Sequence, residues 1–440
     1  MTTGGGWPSV DFQKIDEAVE RSLNLLRRTY HAGSGSGGWY HRLDGEQPGP
    51  SATAAGLAAF LLFGRQFDGL PSGVAFLRLR QIDAADPALD GGWAVNTSAG
   101  RPVAEATALV PRLLNLAGLA FTPDGPDLGR ACRWLLSNQN SDGGWGPFQG
   151  QQSRVWLGAM ALRALAALQP SDPGVRRGVE WLLRARDPRT LAWGELPGGL
   201  PTVTHTGFVL TALADVEARS RQRDVTDALS DGYAWLTQNL VTTRIHDDDA
   251  RTEAYNVSYA GPDGAQVTWQ NTVWHPGLPY ALSALARAPG GAHLDLLAEG
   301  VQTLLATQQP DGRWPSGDSA ASPSIWTVWP FLETFADVQR LVPSGSSDVL
   351  RVLSPNTVLL HRGRDRRRPL AAVLARAIGR KVGSWVVRRW AACLLGLVVA
   401  DGGLFVALGQ LEGQEYAVSL VLPVLLLVIQ VFLDRRDAVR

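Results

Sequence analysis

Two kinds of apolar run alternate along the first three quarters of the chain. One kind carries arginines on one side, as at Arg130 and Arg133 or at Arg176, Arg177 and Arg184; the other is rich in alanine and leucine and apolar nearly all round, as in Val155 to Leu168 and Thr206 to Val216. A helix with one polar face lies at a surface, and a helix with none is buried. The alternation therefore predicts helical hairpins, each with an amphipathic outer helix followed by a buried inner one. The outer runs begin near Ala18, Gly73, Gly129, Gly178, Gly232 and Gly300, which makes six units across the first 340 residues. Self-similarity at this spacing marks a repeat architecture. Six such pairs form two concentric layers, closed as an α/α toroid or continued as an open superhelix.

The turns inside the units repeat as well. Five end on tryptophan, at Trp39, Trp93, Trp145, Trp193 and Trp314, and the clearest copies run Gln139-x3-Gly143-x-Trp145 and Gln308-x3-Gly312-x-Trp314. Asp142-Gly143-Gly144 and Asp311-Gly312 supply residues that tolerate positive φ where a helix ends, while the indole covers that end with a large flat surface. These residues read as staples between units rather than as catalysts. The fifth unit lacks the turn and carries His246-Asp247-Asp248-Asp249 in its place. Residues Ala254 to Asn271 then alternate as a β-hairpin around Gly261-Pro262-Asp263-Gly264. An insertion confined to one repeat is where a solenoid places function, and the hairpin is expected over one mouth of the toroid.

The phrase resembles the QW repeat of the squalene-hopene and oxidosqualene cyclases: a basic residue, Gly or Ala, an aromatic followed by an aliphatic residue, then Gln and Gly-x-Trp. Arg130 to Trp145 fits every position, and Gly300 to Trp314 fits all but the basic start and the aromatic. Units one, two and four fit in part, the fourth with Arg186 in place of glutamine. The resemblance spans about residues 15 to 340. It implies an all-α fold, an α/α6 toroid of six helical hairpins, shared with class II diterpene cyclases and protein prenyltransferase β-subunits. It also implies a hydrophobic, isoprenoid-type ligand in a central cavity and proton-initiated cyclisation.

The acid motif of those cyclases, Asp-x-Asp-Asp-Thr-Ala, is absent. Its nearest register is Val103-Ala104-Glu105-Ala106-Thr107-Ala108, which places Glu105 at the acid's position without its aspartate partners. Glu105 is one candidate catalyst; its alternative role is a first-turn glutamate complementing the helix dipole. Asp247, Asp248 and Asp249 are the others, because adjacent carboxylates repel and raise a pKa or share a cation. Arg251 at the final acidic position separates this run from the Asp-Asp-x-x-Asp metal motif of class I synthases, and a solvated loop with a helix cap is the plainer reading. If the toroid closes, the starts of the inner helices converge on one rim, bringing together Trp156, His205, Trp274, His275, Trp326 and Trp329 beside Thr53, Arg154 and Thr204. Aromatic faces there stabilise a carbocation or pack an isoprenoid chain. A deep apolar cavity with a buried carboxylate favours an enzyme; a filled or polar centre favours a non-catalytic lipid-binding or protein-interaction toroid acting as a sensor or scaffold.

No cofactor is expected. Cys132 and Cys393 are the two cysteines; neither has His and Asp at zinc-ligand spacing, so metal is set aside, and a disulfide framework is excluded. With 45% hydrophobic residues the toroid can bury a large core without either.

The composition then changes. The toroid is assigned to residues 1–341 and a Pro/Ser-rich linker to 342–361; residues 362–389 hold ten Lys/Arg and one acid, interleaved with apolar positions. A basic amphipathic helix of this kind lies on an anionic bilayer, and nucleic acid is not expected as the partner. Trp390 to Gly409 and Tyr416 to Leu433, within 390–440, approach spanning length and form a C-terminal transmembrane hairpin, with Asp401 a costly residue in the first. Arg388, Arg389, Arg435 and Arg436 at its outer ends keep both termini and the toroid in the cytoplasm. No signal peptide is recognised in Met1 to Val10. The formal net charge of zero averages a mixed toroid with a basic tail.

Overall fold

A computed structural model describes residues 10–43, 47–95, 100–122, 124–219, 222–246, 252–260, 265–289, 293–315 and 324–341. Asp247, Asp248 and Asp249, and the linker, basic segment and apolar segments of the tail, lie outside these residues. Among the described residues no helix is long and apolar enough to cross a membrane.

Twelve α-helices appear among them, in six pairs: α1 (Phe12–Thr29) with α2 (Pro50–Leu62), α3 (Leu70–Arg80) with α4 (Ala104–Leu116), α5 (Leu128–Ser137) with α6 (Val155–Leu168), α7 (Pro173–Arg184) with α8 (Val203–Glu217), α9 (Arg223–Asn239) with α10 (Gly277–Leu285), and α11 (Leu294–Thr307) with α12 (Trp329–Gln339). Three of the six outer helices start on side-chain caps, Asp11 accepting from the Lys14 N–H, Asp127 from Arg130 and Asp172 from Gly174. The even-numbered helices are the apolar runs of the sequence and are buried almost throughout; in α2 every residue from Pro50 to Phe60 is buried. They pack in order around the centre, and α12 returns to α2. The layer is thus a closed toroid, not an open superhelix.

Closure is also made between the first and last hairpins. Gln308 Nε2 donates to the Ala18 carbonyl at 2.9 Å, Ser22 Oγ to the Gly312 carbonyl at 2.6 Å, and Gln339 Nε2 to Asp16 at 3.0 Å. Elsewhere the same glutamine position joins consecutive units: Gln81 Nε2 donates to the carbonyls of Gly91 and Asp127, and Gln139 Nε2 to those of Gly143 and Gly174. Each turn tryptophan is fully buried, and its indole N–H caps the end of the preceding outer helix: Trp39 on the Leu26 carbonyl, Trp93 on Leu77, Trp145 on Leu135, Trp193 on Leu182 and Trp314 on Leu304, at 2.7 to 2.9 Å. Free carbonyls at a helix end need such donors. The staple role assigned from sequence follows from these bonds.

Two positions show why the turn asks for glycine. Gly143 and Gly312 have φ of 95° and 100°, and a Cβ there would meet the carbonyl oxygens of Arg177 and Arg21 at 2.8 and 2.4 Å. The fourth turn has Leu191 at this place, in the left-handed region at φ 60°.

A small ribbon pairs β1 (His31–Ala32) with β2 (Gly37–Gly38) in the first turn. The fifth unit carries the expected insertion, β3 (Thr252–Ala260) antiparallel to β4 (Gln266–Trp274), with Thr252 opposite Trp274.

Candidate functional site

Because every inner helix is the second of its hairpin, their N-terminal ends share one rim and their C-terminal ends form a floor. Glu105 opens α4 and Arg112 stands seven residues on, so rim and floor are about 10 Å apart along the helix. Between them lies a cavity of about 60 Å³. Its wall is Glu105, Leu109, Trp156, Met160, Phe208, Val273, His275, Tyr280, Trp326 and Trp329, over a base of Arg112, Arg163 and Glu333.

Four of the six residues expected to touch a ligand, Trp156, His275, Trp326 and Trp329, share this wall with Glu105. His205 lies off it and is buried against Glu253. Trp274 is the last residue of β4 rather than the first of an inner helix, because the hairpin runs on to within three residues of α10; its side chain lies outside the described part. Asp247, Asp248 and Asp249 cannot be placed among these groups.

Glu105 is the cavity's acid. Among the described residues it has no hydrogen bond or ion pair, and burial alone pushes its carboxyl up to about 7. It is therefore substantially protonated at neutral pH, but without the acidic neighbours that would sharpen it into a strong acid.

The floor is an ionic network that the sequence did not lead one to expect. Arg112 grips Glu333 with two bonds of 2.6 and 3.0 Å; Arg163 reaches Glu333 at 3.1 Å and Asp215 at 2.9 Å; Arg287 reaches Asp215 at 3.3 Å and also pairs with Asp337. Burial pulls the Glu333 carboxyl upward, but the charges of Arg112 and Arg163 outweigh it and hold it well below the usual carboxylate range. The available signal was the few charges, Arg112, Arg163, Asp215, Glu333 and Asp337, set within otherwise apolar inner runs.

A second cluster forms where the hairpin meets the rim. Glu253 of β3 is buried, 1% exposed. His205 Nε2 lies 3.2 Å and His275 Nε2 3.3 Å from its Oε2, while Trp156 Nε1 donates to Oε1 at 3.2 Å and Arg154 pairs with Oε1. Arg154 also bonds Glu195 at 2.6 Å and lies 3.9 Å over the Tyr255 ring. Burial raises the Glu253 carboxyl, yet the two histidines more than reverse this and keep it below its ordinary range. Burial lowers His275, partly offset by Glu253. The three ligand-type atoms lie within 4.8 Å of one another. The sequence argument against metal turned on cysteine spacing; this group uses no cysteine, and its members, 22 and 48 positions apart, meet only through the fold. Above it, Gln151, Gln152, Asn256 and Gln270 join Arg154 and Tyr255 around a polar hollow of about 320 Å³.

Among known proteins, a squalene-hopene cyclase of Bradyrhizobium diazoefficiens is 34% identical over 148 residues, covering 31% of this chain and 20% of that protein. One from Zymomonas mobilis is 24% identical over 210 residues, covering 42% and 29%. These matches, with the indole and glutamine staples in place, make the chain similar to the squalene-hopene and other terpene cyclases over the matched segments. It matches less than a third of the length of either cyclase, and no family profile matches it. Among solved structures, an α-1,6-mannanase of Salegentibacter, 8% identical, covers 73% of this chain and 98% of its own with a TM-score of 0.50, which is a likeness of fold. A type II terpene cyclase from Scytonema, solved with geranylgeranyl dihydroxybenzoate, is 13% identical and covers 74% and 97% with a TM-score of 0.49.

Proposed function

We propose that this terpene-cyclase-like toroid binds an isoprenoid-type ligand in its central cavity and that Glu105 is the proton donor that starts its cyclisation. The observation that carries the reading is a carboxyl without a hydrogen-bond or ion-pair partner among the described residues, on one cavity wall with Trp156, Trp326 and Trp329 at the register of the cyclase acid. The carboxyl can give its proton to an alkene or epoxide, and the indole faces stabilise the cation that results. Glu333, Arg112 and Arg163 close the floor and keep water from entering there. The tail supports membrane delivery: residues 362–389 attract anionic lipid, and the two apolar segments beyond anchor the toroid, on the cytoplasmic side by their flanking arginines.

Full-length protein in detergent, incubated with squalene or geranylgeranyl diphosphate, should yield a cyclised product. Glu105→Gln should lower its rate by about 10²- to 10⁴-fold. Because the acid must be protonated, the rate should fall as pH rises through about 7. Unchanged substrate with every polyprenyl compound would rule out the catalytic part. Flotation with anionic vesicles tests the anchor: the full chain should float and residues 1–341 should not.

One observation favours a non-catalytic alternative. A drug-sized ligand needs about 300 Å³ or more, so a cavity of about 60 Å³ must widen to admit a prenyl chain. A sensor or scaffold toroid would retain the family's wall and ionic floor without turnover. Ligand binding unaffected by Glu105→Gln, with no product, distinguishes this reading.

A further inference from the structure

The group at the hairpin base has the chemistry of a metal site. Glu253, His205 and His275 are each no more than 2% exposed, and both imidazole Nε2 atoms address one carboxylate oxygen at 3.2 and 3.3 Å. A charge-assisted N–H to carboxylate bond in a dry site closes to about 2.7–2.9 Å. The observed spacing is longer. It matches the edge of a tetrahedron around an ion bound at about 2.0–2.1 Å, which is about 3.3–3.4 Å.

The outer atoms of these side chains are held as those of ligands are. Thr202 Oγ1 lies 2.8 Å from His205 Nδ1 and accepts the His205 backbone N–H at 3.2 Å. When Nδ1 donates to Thr202, Nε2 turns a lone pair towards the Glu253 oxygen, and two lone pairs face each other stably only across a cation. Glu253 Oε1 is fixed by Arg154 and Trp156, leaving Oε2 for the ion. Partners of this kind orient and tune metal ligands. Arg154 shares its charge with Glu195, so it does not by itself neutralise Glu253.

We propose that His205, Glu253 and His275 form a divalent transition-metal site of the zinc class, joining the β3–β4 hairpin to the rim of the toroid. His275 belongs also to the cavity wall, which sets the site at the cavity's edge. Two histidines and one carboxylate are a zinc set with a position left for water or substrate. The inference is independent of whether the toroid turns over an isoprenoid.

The test uses the full-length, untagged chain, stripped with a chelator and titrated with Zn²⁺ by calorimetry and with Co²⁺ by visible absorption. One equivalent of Zn²⁺ should bind, and Co²⁺ should give the intense d–d bands of four-coordinate nitrogen and oxygen ligation. His275→Gln and Glu253→Gln should weaken Zn²⁺ binding by at least about 100-fold, and Thr202→Val by about 10- to 100-fold. Folding of each variant is checked by circular dichroism without metal. Folded wild-type protein that takes up neither ion overturns the proposal without recourse to any variant. So does uptake with the same affinity in a folded His205→Asn, His275→Gln double variant.

Discussion

At the scale of single residues, the repeats show where local geometry outranks residue type. The glycine two places before a turn tryptophan is left-handed at Gly91, Gly143 and Gly312, and Leu191 takes the same conformation in the fourth turn. A left-handed residue with a Cβ costs about 1–2 kcal/mol, and Leu191 is 37% exposed, so little burial offsets it. Leu191→Gly should therefore stabilise the toroid by about 1 kcal/mol in denaturant melts; a destabilisation would show that the leucine's packing matters more than its backbone. Glu105 gives a second prediction. Its folded pKa of about 7 lies above the ordinary 4.5, so the folded state holds the extra proton. This group's contribution to stability is present below about 4.5 and is lost as pH rises through about 7. Glu105→Gln removes the loss: its stability relative to wild type should rise between pH 5 and pH 8 by at most about 3 kcal/mol. A difference independent of pH would contradict the raised pKa.

At the scale of elements, the sequence made the hairpins legible because helical amphipathicity is a local signal. Val155 to Leu168 was marked by its composition alone and is the whole of α6. The β insertion was legible from alternation, and its observed strands extend two residues before and three beyond the expected span. Pairings between elements were not legible. Nothing local in Glu253 announces that it will meet His205 and His275, and nothing in Arg112 announces Glu333, 221 positions away. Those contacts depend on which helices become neighbours once the toroid closes. The ionic floor is the element-scale feature most open to test. Removing one member of a buried pair leaves the others uncompensated, at about 3–5 kcal/mol. Glu333→Leu should cost that much in thermal or denaturant unfolding, whereas Arg112→Met combined with Glu333→Leu should recover part of it. Equal losses in the single and double variants would show that the pair is not coupled.

At the scale of the molecule, ring closure turns a linear repeat into a site. Glu105, Trp156, His275, Trp326 and Trp329 stand at or just before the starts of the inner helices of units two, three, five and six, and packing of those helices around the centre puts them on one cavity. The candidate wall was therefore legible once repeat counting was combined with the cyclase resemblance. The cavity's size and its charged floor were not, because both depend on side-chain packing across the ring. The central claim is that this cavity takes an isoprenoid chain. It is tested most directly by native mass spectrometry of the full-length protein released from detergent after incubation with polyprenyl lipids. The account predicts one bound prenyl ligand per chain, lost when Met160→Trp fills the wall in a folded variant. Absence of any bound lipid in the wild type, or retention by the filled variant, would contradict it.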